Sequence, residues 1–181
     1  MNVQAVVTTG IYCRASCTAR PARKNVRPMR SALEAQASGF RPCLLCRPDR
    51  LPGIALEQPS AEIAHALRLI AEGFLDHATM EELATRIGYS ARQLVRLFEE
   101  HVGATPDFVA RSRRAHLARR LLDESDLSIS KVAFAAGFTS IRQMNRVMRA
   151  LFAFSPSELR QKRRRGDVMD ALDGGLRLRL P

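Results

Sequence analysis

The sequence predicts a mainly α chain in which a small metal-ready module is followed by an all-α domain carrying two helix-turn-helix units. Three observations predict it. All four cysteines fall between positions 13 and 46, in two short-spaced pairs. From Ser60 to about residue 165, apolar residues recur at helical spacing. That second region also repeats itself at an offset of 49 to 50 residues.

A chain of 181 residues with 46% apolar content has the length of one ordinary domain or of two to three small ones. Lys and Arg number 29 against 18 Asp and Glu, a net charge of +11, and nearly all the cations are Arg, whose fork suits phosphate oxygens. This charge points to a polyanionic partner, a nucleic acid above all, and the two helix-turn-helix units narrow it to double-stranded DNA. No stretch approaches the apolar length of a membrane span, and MNVQAVVTTG lacks the basic start of a secretory signal, so a cytoplasmic protein with no membrane partner is expected. In that reducing compartment four cysteines are better explained by a metal than by disulfides.

The front module covers 1–52. It carries nine Lys/Arg against Glu34 and Asp49, nine minus two giving +7. Residues 53–59 read as a linker, because the surrounding LPGIALEQPS has two prolines and a glycine, and Ser60 before Ala61 and Glu62 is an N-cap. The helical domain spans 60–165. Residues 166–181 form a tail in which Leu176, Leu178 and Leu180 alternate with Arg177 and Arg179, as at the start of a strand of a further domain.

Three residues separate Cys13 from Cys17 and two separate Cys43 from Cys46, with 25 residues between the pairs. Two such pairs let two local turns each offer two thiolates to one tetrahedral ion, so one Zn2+ per chain on Cys13, Cys17, Cys43 and Cys46 is the simple assignment. TTGIYCRASC, Ala19-Arg20, Asn25-Val26 and GFRPCLLCRPD together resemble the N-terminal domain of the Ada family, across nearly the whole of 5–50. The resemblance implies a small α+β zinc module in which Cys13 is both ligand and acceptor of a methyl group from methyl-phosphotriester-damaged DNA, in a single turnover. A zinc-bound thiolate suits that chemistry, being ionised at neutral pH and still nucleophilic. Arg14, Arg20 and Arg41 are the cations placed to hold flanking phosphates. Ala15 and the Leu44-Leu45 pair depart from the family pattern, which has a Pro and a usually basic pair there.

In the helical domain, Leu83, Ala84, Gly88 and Tyr89 fall on Val132, Ala133, Gly137 and Phe138 at offset 49. Ser90, Leu94, Arg96, Leu97, Phe98, Thr105 and Pro106 fall on Ser140, Met144, Arg146, Val147, Met148, Ser155 and Pro156 at offset 50. A small residue where two helices touch and a glycine four positions on, able to take a left-handed turn, is what a helix-turn-helix needs, and the chain has it twice. Recognition helices are expected over about 90–101 and 140–150, joined by a long helix after Pro106 that includes Arg111, Arg113, Arg114, Arg119 and Arg120. Two units on one connector can enter successive major grooves. Arg92, Gln93 and Arg96 in the first, and Ser140, Arg142, Gln143, Asn145 and Arg146 in the second, are the candidate DNA contacts. AFAAGFTSIRQMNRVMRALFAFSP followed by SELR resembles the signature of the AraC family, which implies a monomeric transcriptional activator working with RNA polymerase. His65, His77, His101 and His116 are scattered and read as surface or packing residues.

Two rival readings stand beside this one. The first is an AraC-type regulator with a purely structural zinc. The second is the front of a larger fusion, since this domain order followed by a strand such as GLRLRLP resembles fusions to AlkA-type alkyl-base glycosylases. The chain has no helix-hairpin-helix core and no Pro-Cys-His motif, so neither glycosylase nor O6-alkylguanine acceptor activity is expected in it.

Overall fold

The computed structural model describes residues 3–19, 21–48 and 60–163. The linker read at 53–59 and the tail from 166 onward lie outside the described residues, as does Arg20.

The front module is an α+β unit. Strands β1 (Val3–Val6), β2 (Ile11–Arg14), β3 (Val26–Met29) and β4 (Arg41–Pro42) form one sheet in the order β3-β1-β2-β4. β1 is antiparallel to both neighbours, with Gln4 opposite Cys13, while β2 and β4 run parallel with Tyr12 opposite Pro42. Gly10, at φ 63°, closes the β1–β2 turn by donating its N–H to the Val6 carbonyl at 3.0 Å. Helix α1 (Ala32–Ala37) starts on Ser31, whose hydroxyl accepts from the Glu34 N–H at 3.0 Å, and the Glu34 carboxylate accepts from the Arg30 N–H at 2.6 Å. Val3, Ala5, Tyr12, Met29 and Ala35 make the small core beneath the sheet.

The helical region follows the repeat read from the sequence. α2 (Ala61–Glu72), α3 (Met80–Ile87) and α4 (Ala91–His101) form the first unit, α5 (Pro106–Glu124) is the connector, and α6 (Ile129–Ala135) and α7 (Ile141–Phe152) begin the second. Residues 156–163 are helical and complete it. Each start carries its cap: Ser60, Thr79, Ser90, Thr105, Ser128 and Ser140 all accept a backbone N–H with their hydroxyls, and Thr79 with Glu82 and Ser90 with Gln93 form full capping boxes. The repeat pairs are structurally equivalent. Gly88 and Gly137 both sit at φ 86°, and Leu83 and Val132, Leu94 and Met144, and Phe98 and Met148 are buried at matching places in two separate cores.

The arginines of the connector do not all face outward. Arg113 and Arg114 both bind Asp76, at 2.7 and 2.6 Å, and Arg119 binds Asp123 at 3.2 Å. Arg113 and Arg114 tie the connector to the first unit, while Arg119 pairs one turn along α5 itself.

The front module also packs against the helical domain. Leu33 of α1 belongs to the core of the first helical unit. Buried Gln36 donates to the Tyr12 hydroxyl at 2.6 Å, accepts from the Ser112 hydroxyl at 2.6 Å, and lies 2.9 Å from Nε2 of His116, itself edge-on to Phe152. Arg30 reaches the Glu100 carbonyl at the end of α4, and Arg47 pairs with Asp123 at the end of α5. His116 is thus a packing residue between modules.

Candidate functional site

The parallel β2–β4 pair assembles the cysteines. Cys13 lies in β2, and the Cys43 N–H donates to the Tyr12 carbonyl at 3.0 Å, which sets the first cysteine of each pair side by side. The chain then turns twice: the Cys17 N–H donates to the Arg14 carbonyl, and the Arg47 N–H to the Cys43 carbonyl, both at 3.1 Å. All four Sγ atoms lie within 4.8 Å of one another. Arg14 ties the two turns together, its N–H directed at Cys46 Sγ at 3.5 Å and its guanidinium donating to the Arg47 carbonyl at 3.0 Å. Cys13 and Cys43 are buried, whereas Cys17 and Cys46 are half-exposed.

Four sulfurs this close cannot all ionise on their own. Burial, the hydrogen bond to Cys43 and the other thiolates push the Cys13 thiol up. Burial likewise pushes Cys46 up to about 11 against the opposing Arg14 N–H. Cys43 is also penalised by burial, but the N–H groups of Cys46 and Leu45 aimed at its sulfur outweigh this and lower it. A dication among the sulfurs removes the conflict. The all-sulfur donor set and the closed cluster fit zinc.

Around this centre, Arg41 is half-buried on β4, and Arg14 is occupied as described. Leu44 and Leu45 stand exposed between the second pair of ligands, Leu45 at 67%. On the recognition helices Arg92, Gln93, Arg96, Ser140, Arg142 and Arg146 are exposed, and Gln143 and Asn145 are half-buried. Several candidates also cap their helices. The Gln93 side-chain carbonyl accepts from the N–H and hydroxyl of Ser90, and that of Gln143 from the N–H and hydroxyl of Thr139; the Ser140 hydroxyl accepts from the Gln143 N–H, and Asn145 donates to the Ile141 carbonyl. Arg92, Arg96, Arg142 and Arg146 form no ion pair among the described residues. Ile141 stands 39% exposed at the first position of α7, beside Arg142.

Residues 2–49 match the metal binding domain of Ada, and residues 83–162 match a helix-turn-helix domain. The four cysteines therefore form a site for one zinc ion. A probable bifunctional transcriptional activator/DNA repair enzyme AlkA of Mycobacterium tuberculosis is 44% identical over 182 residues, covering 99% of this chain and 37% of the relative. The bifunctional transcriptional activator/DNA repair enzyme Ada of Escherichia coli is 39% identical over 137 residues, 75% of this chain and 37% of that protein. The chain thus spans 37% of the length of these curated relatives. The DNA-binding domain of AdpA, a global transcriptional factor solved in complex with a target DNA, superposes with a TM-score of 0.55 at 28% identity, covering 58% of this chain and 95% of that domain. Among the described residues, no helix is long and apolar enough to cross a membrane.

Proposed function

Because the chain joins an Ada-type metal-binding domain at residues 2–49 to an AraC-type helix-turn-helix domain at residues 83–162, we propose that it is a DNA-alkylation-response protein. It accepts a methyl group from a methyl phosphotriester of DNA onto Cys13, and it binds DNA sequence-specifically as a transcriptional activator. The convergence of four cysteine sulfurs within 4.8 Å carries the reading.

Zinc, when bound by Cys13, Cys17, Cys43 and Cys46, keeps the thiolates ionised at neutral pH. Cys13 Sγ supplies an electron pair to the methyl carbon, an S–C bond forms as the C–O bond breaks, and the phosphodiester departs with the bonding pair. The thioether product is a poor leaving group, so each chain reacts once. Arg41, with Arg20, holds the flanking phosphates, while Arg14 fixes the two metal-binding turns to each other. Arg92 and Arg96 on α4, and Arg142 and Arg146 on α7, meet the two DNA boxes, with Gln93, Ser140, Gln143 and Asn145 alongside them. The protein acts as a cytoplasmic monomer and contacts RNA polymerase when bound.

The test is incubation of zinc-loaded chain with duplex DNA carrying labelled methyl phosphotriesters, followed by peptide mass mapping. Label is expected on Cys13. Mapping matters because Cys17 and Cys46 are the more exposed pair; methyl found mainly on either overturns the acceptor assignment, and no label at all leaves a regulator with a structural zinc. Methylation also lowers the formal charge of the centre from −2 to −1 and relieves its repulsion from the DNA backbone, tightening binding by about 1 kcal/mol at low salt and less as salt screens it.

A further inference from the structure

The two recognition helices are joined by more than the connector. α5 is 19 residues long, roughly 28 Å at 1.5 Å per residue, and it enters both cores, with Val109 and Ala110 in the first and Ala115, Ala118 and Leu122 in the second. Asp76 adds a direct contact between the two units. It ends the short 3-10 turn Phe74–Asp76 of the first unit. Its two oxygens are held by Arg113 NH1 at 2.7 Å and Arg114 Nε at 2.6 Å, and those arginines are themselves anchored on the Ala71 and Leu75 carbonyls. The carboxylate therefore has one orientation relative to the connector.

That carboxylate abuts the turn of the second unit. A Cβ added at Gly137 would lie 2.5 Å from Asp76 Oδ2 and 2.7 Å from its Cγ. The repeat supplies an internal control, because Gly88 has the same place and the same φ of 86° in the first unit and would meet nothing within 4 Å. Backbone conformation alone accounts for Gly88. At Gly137 there is a second demand, close approach to Asp76, and Gly137 lies only four residues before the start of α7.

We propose that Asp76 is a positioning residue that fixes the angle between α4 and α7, and so the number of base pairs the protein accepts between its two DNA boxes. The proposal rests on the reading of both units as DNA-binding. Loss of the carboxylate should leave each box recognised and relax only the distance between them.

The experiment uses the full zinc-loaded chain. A two-box duplex is first selected from a random double-stranded library, and affinity is then measured as the spacer is changed one base pair at a time and for each box alone. The unaltered chain is expected to favour one spacing by about tenfold, the equivalent of roughly 1.4 kcal/mol. Asp76→Ala should flatten that preference to about twofold or less while single-box affinity stays the same, with Asp76→Asn, which keeps the shape and one oxygen, in between. Gly137→Ala approaches from the other side: it should shift the preferred spacing, whereas Gly88→Ala, strained alike in its backbone, should destabilise without a shift. In an Asp76→Ala background, Gly137→Ala should add no further change in spacing. An unchanged spacing profile in Asp76→Ala, a uniform loss across all spacings and single boxes, or equal shifts from Gly88→Ala and Gly137→Ala each overturn the proposal alone. A chain that selects no duplex overturns the DNA-binding premise and the proposal together.

Discussion

In the front module the core is Val3, Ala5, Tyr12, Met29 and Ala35, two of them alanines. The helical domain instead buries two clusters that include Phe98, Ile63, Ile70 and Leu94 in one and Met144, Met148, Leu122 and Phe152 in the other. So small an apolar core cannot offset the entropy of ordering the strands and turns around it, and the cross-link through four sulfurs must supply the difference. The helical domain needs no such cross-link. The comparison teaches that a chain can hold two folding strategies in contact, one dependent on a cofactor and one on packing.

The largest effect should come from the metal. Cys43→Ser, or chelation of the intact chain, removes binding free energy of roughly 10 kcal/mol, so amides of residues 3–48 should lose hydrogen-exchange protection while those of 60–163 keep theirs. Equal loss in both regions would show that the helical cores also depend on zinc. Next in size, Phe98→Ala empties a fully buried position of the first helical core and should cost about 3–5 kcal/mol by urea titration. It should leave zinc stoichiometry at one per chain, and a fall in bound zinc would break the separation between the two strategies. The smallest change sharpens the seam between them. Gln36→Ala leaves the Tyr12 and Ser112 hydroxyls without the partner they share and should cost about 1–3 kcal/mol. Limited proteolysis should then cut the front module faster, with the helical domain unaffected; unchanged proteolysis would mean that Leu33 and the Arg30 and Arg47 contacts seat the module without Gln36.

Local features of the fold were legible and distant ones were not. The cysteine pairs could be read because each needs only one turn of chain to present two sulfurs. The two helix-turn-helix units could be read because Ala84 with Gly88, and Ala133 with Gly137, carry their geometry within five residues. Gln36 gave no signal: its partners at 12, 112 and 116 have no periodic relation to it, and a glutamine in a short helix normally faces water. Arg113 and Arg114 could be placed on the connector, but nothing in the sequence marks Asp76, 37 and 38 residues away, as their shared partner. The place of Gln93 three residues after Ser90 is the spacing of a capping box, which it forms, whereas Gln143 turns instead to Thr139 four residues back. Arg14 shows the limit at the site itself, because the carbonyl it holds belongs to Arg47, 33 residues away.

The seat of the front module on α5 also sets an order of events during synthesis. Gln36 and Ser112 are 76 residues apart, and at about 5–20 residues per second the ribosome needs roughly 4–15 s to make the second after the first. For that interval the nascent module has no complete connector to dock on, and its glutamine has Tyr12 but neither Ser112 nor His116 as a partner. Zinc capture needs no residue beyond Cys46, so the module can close on its metal before the connector exists to meet it.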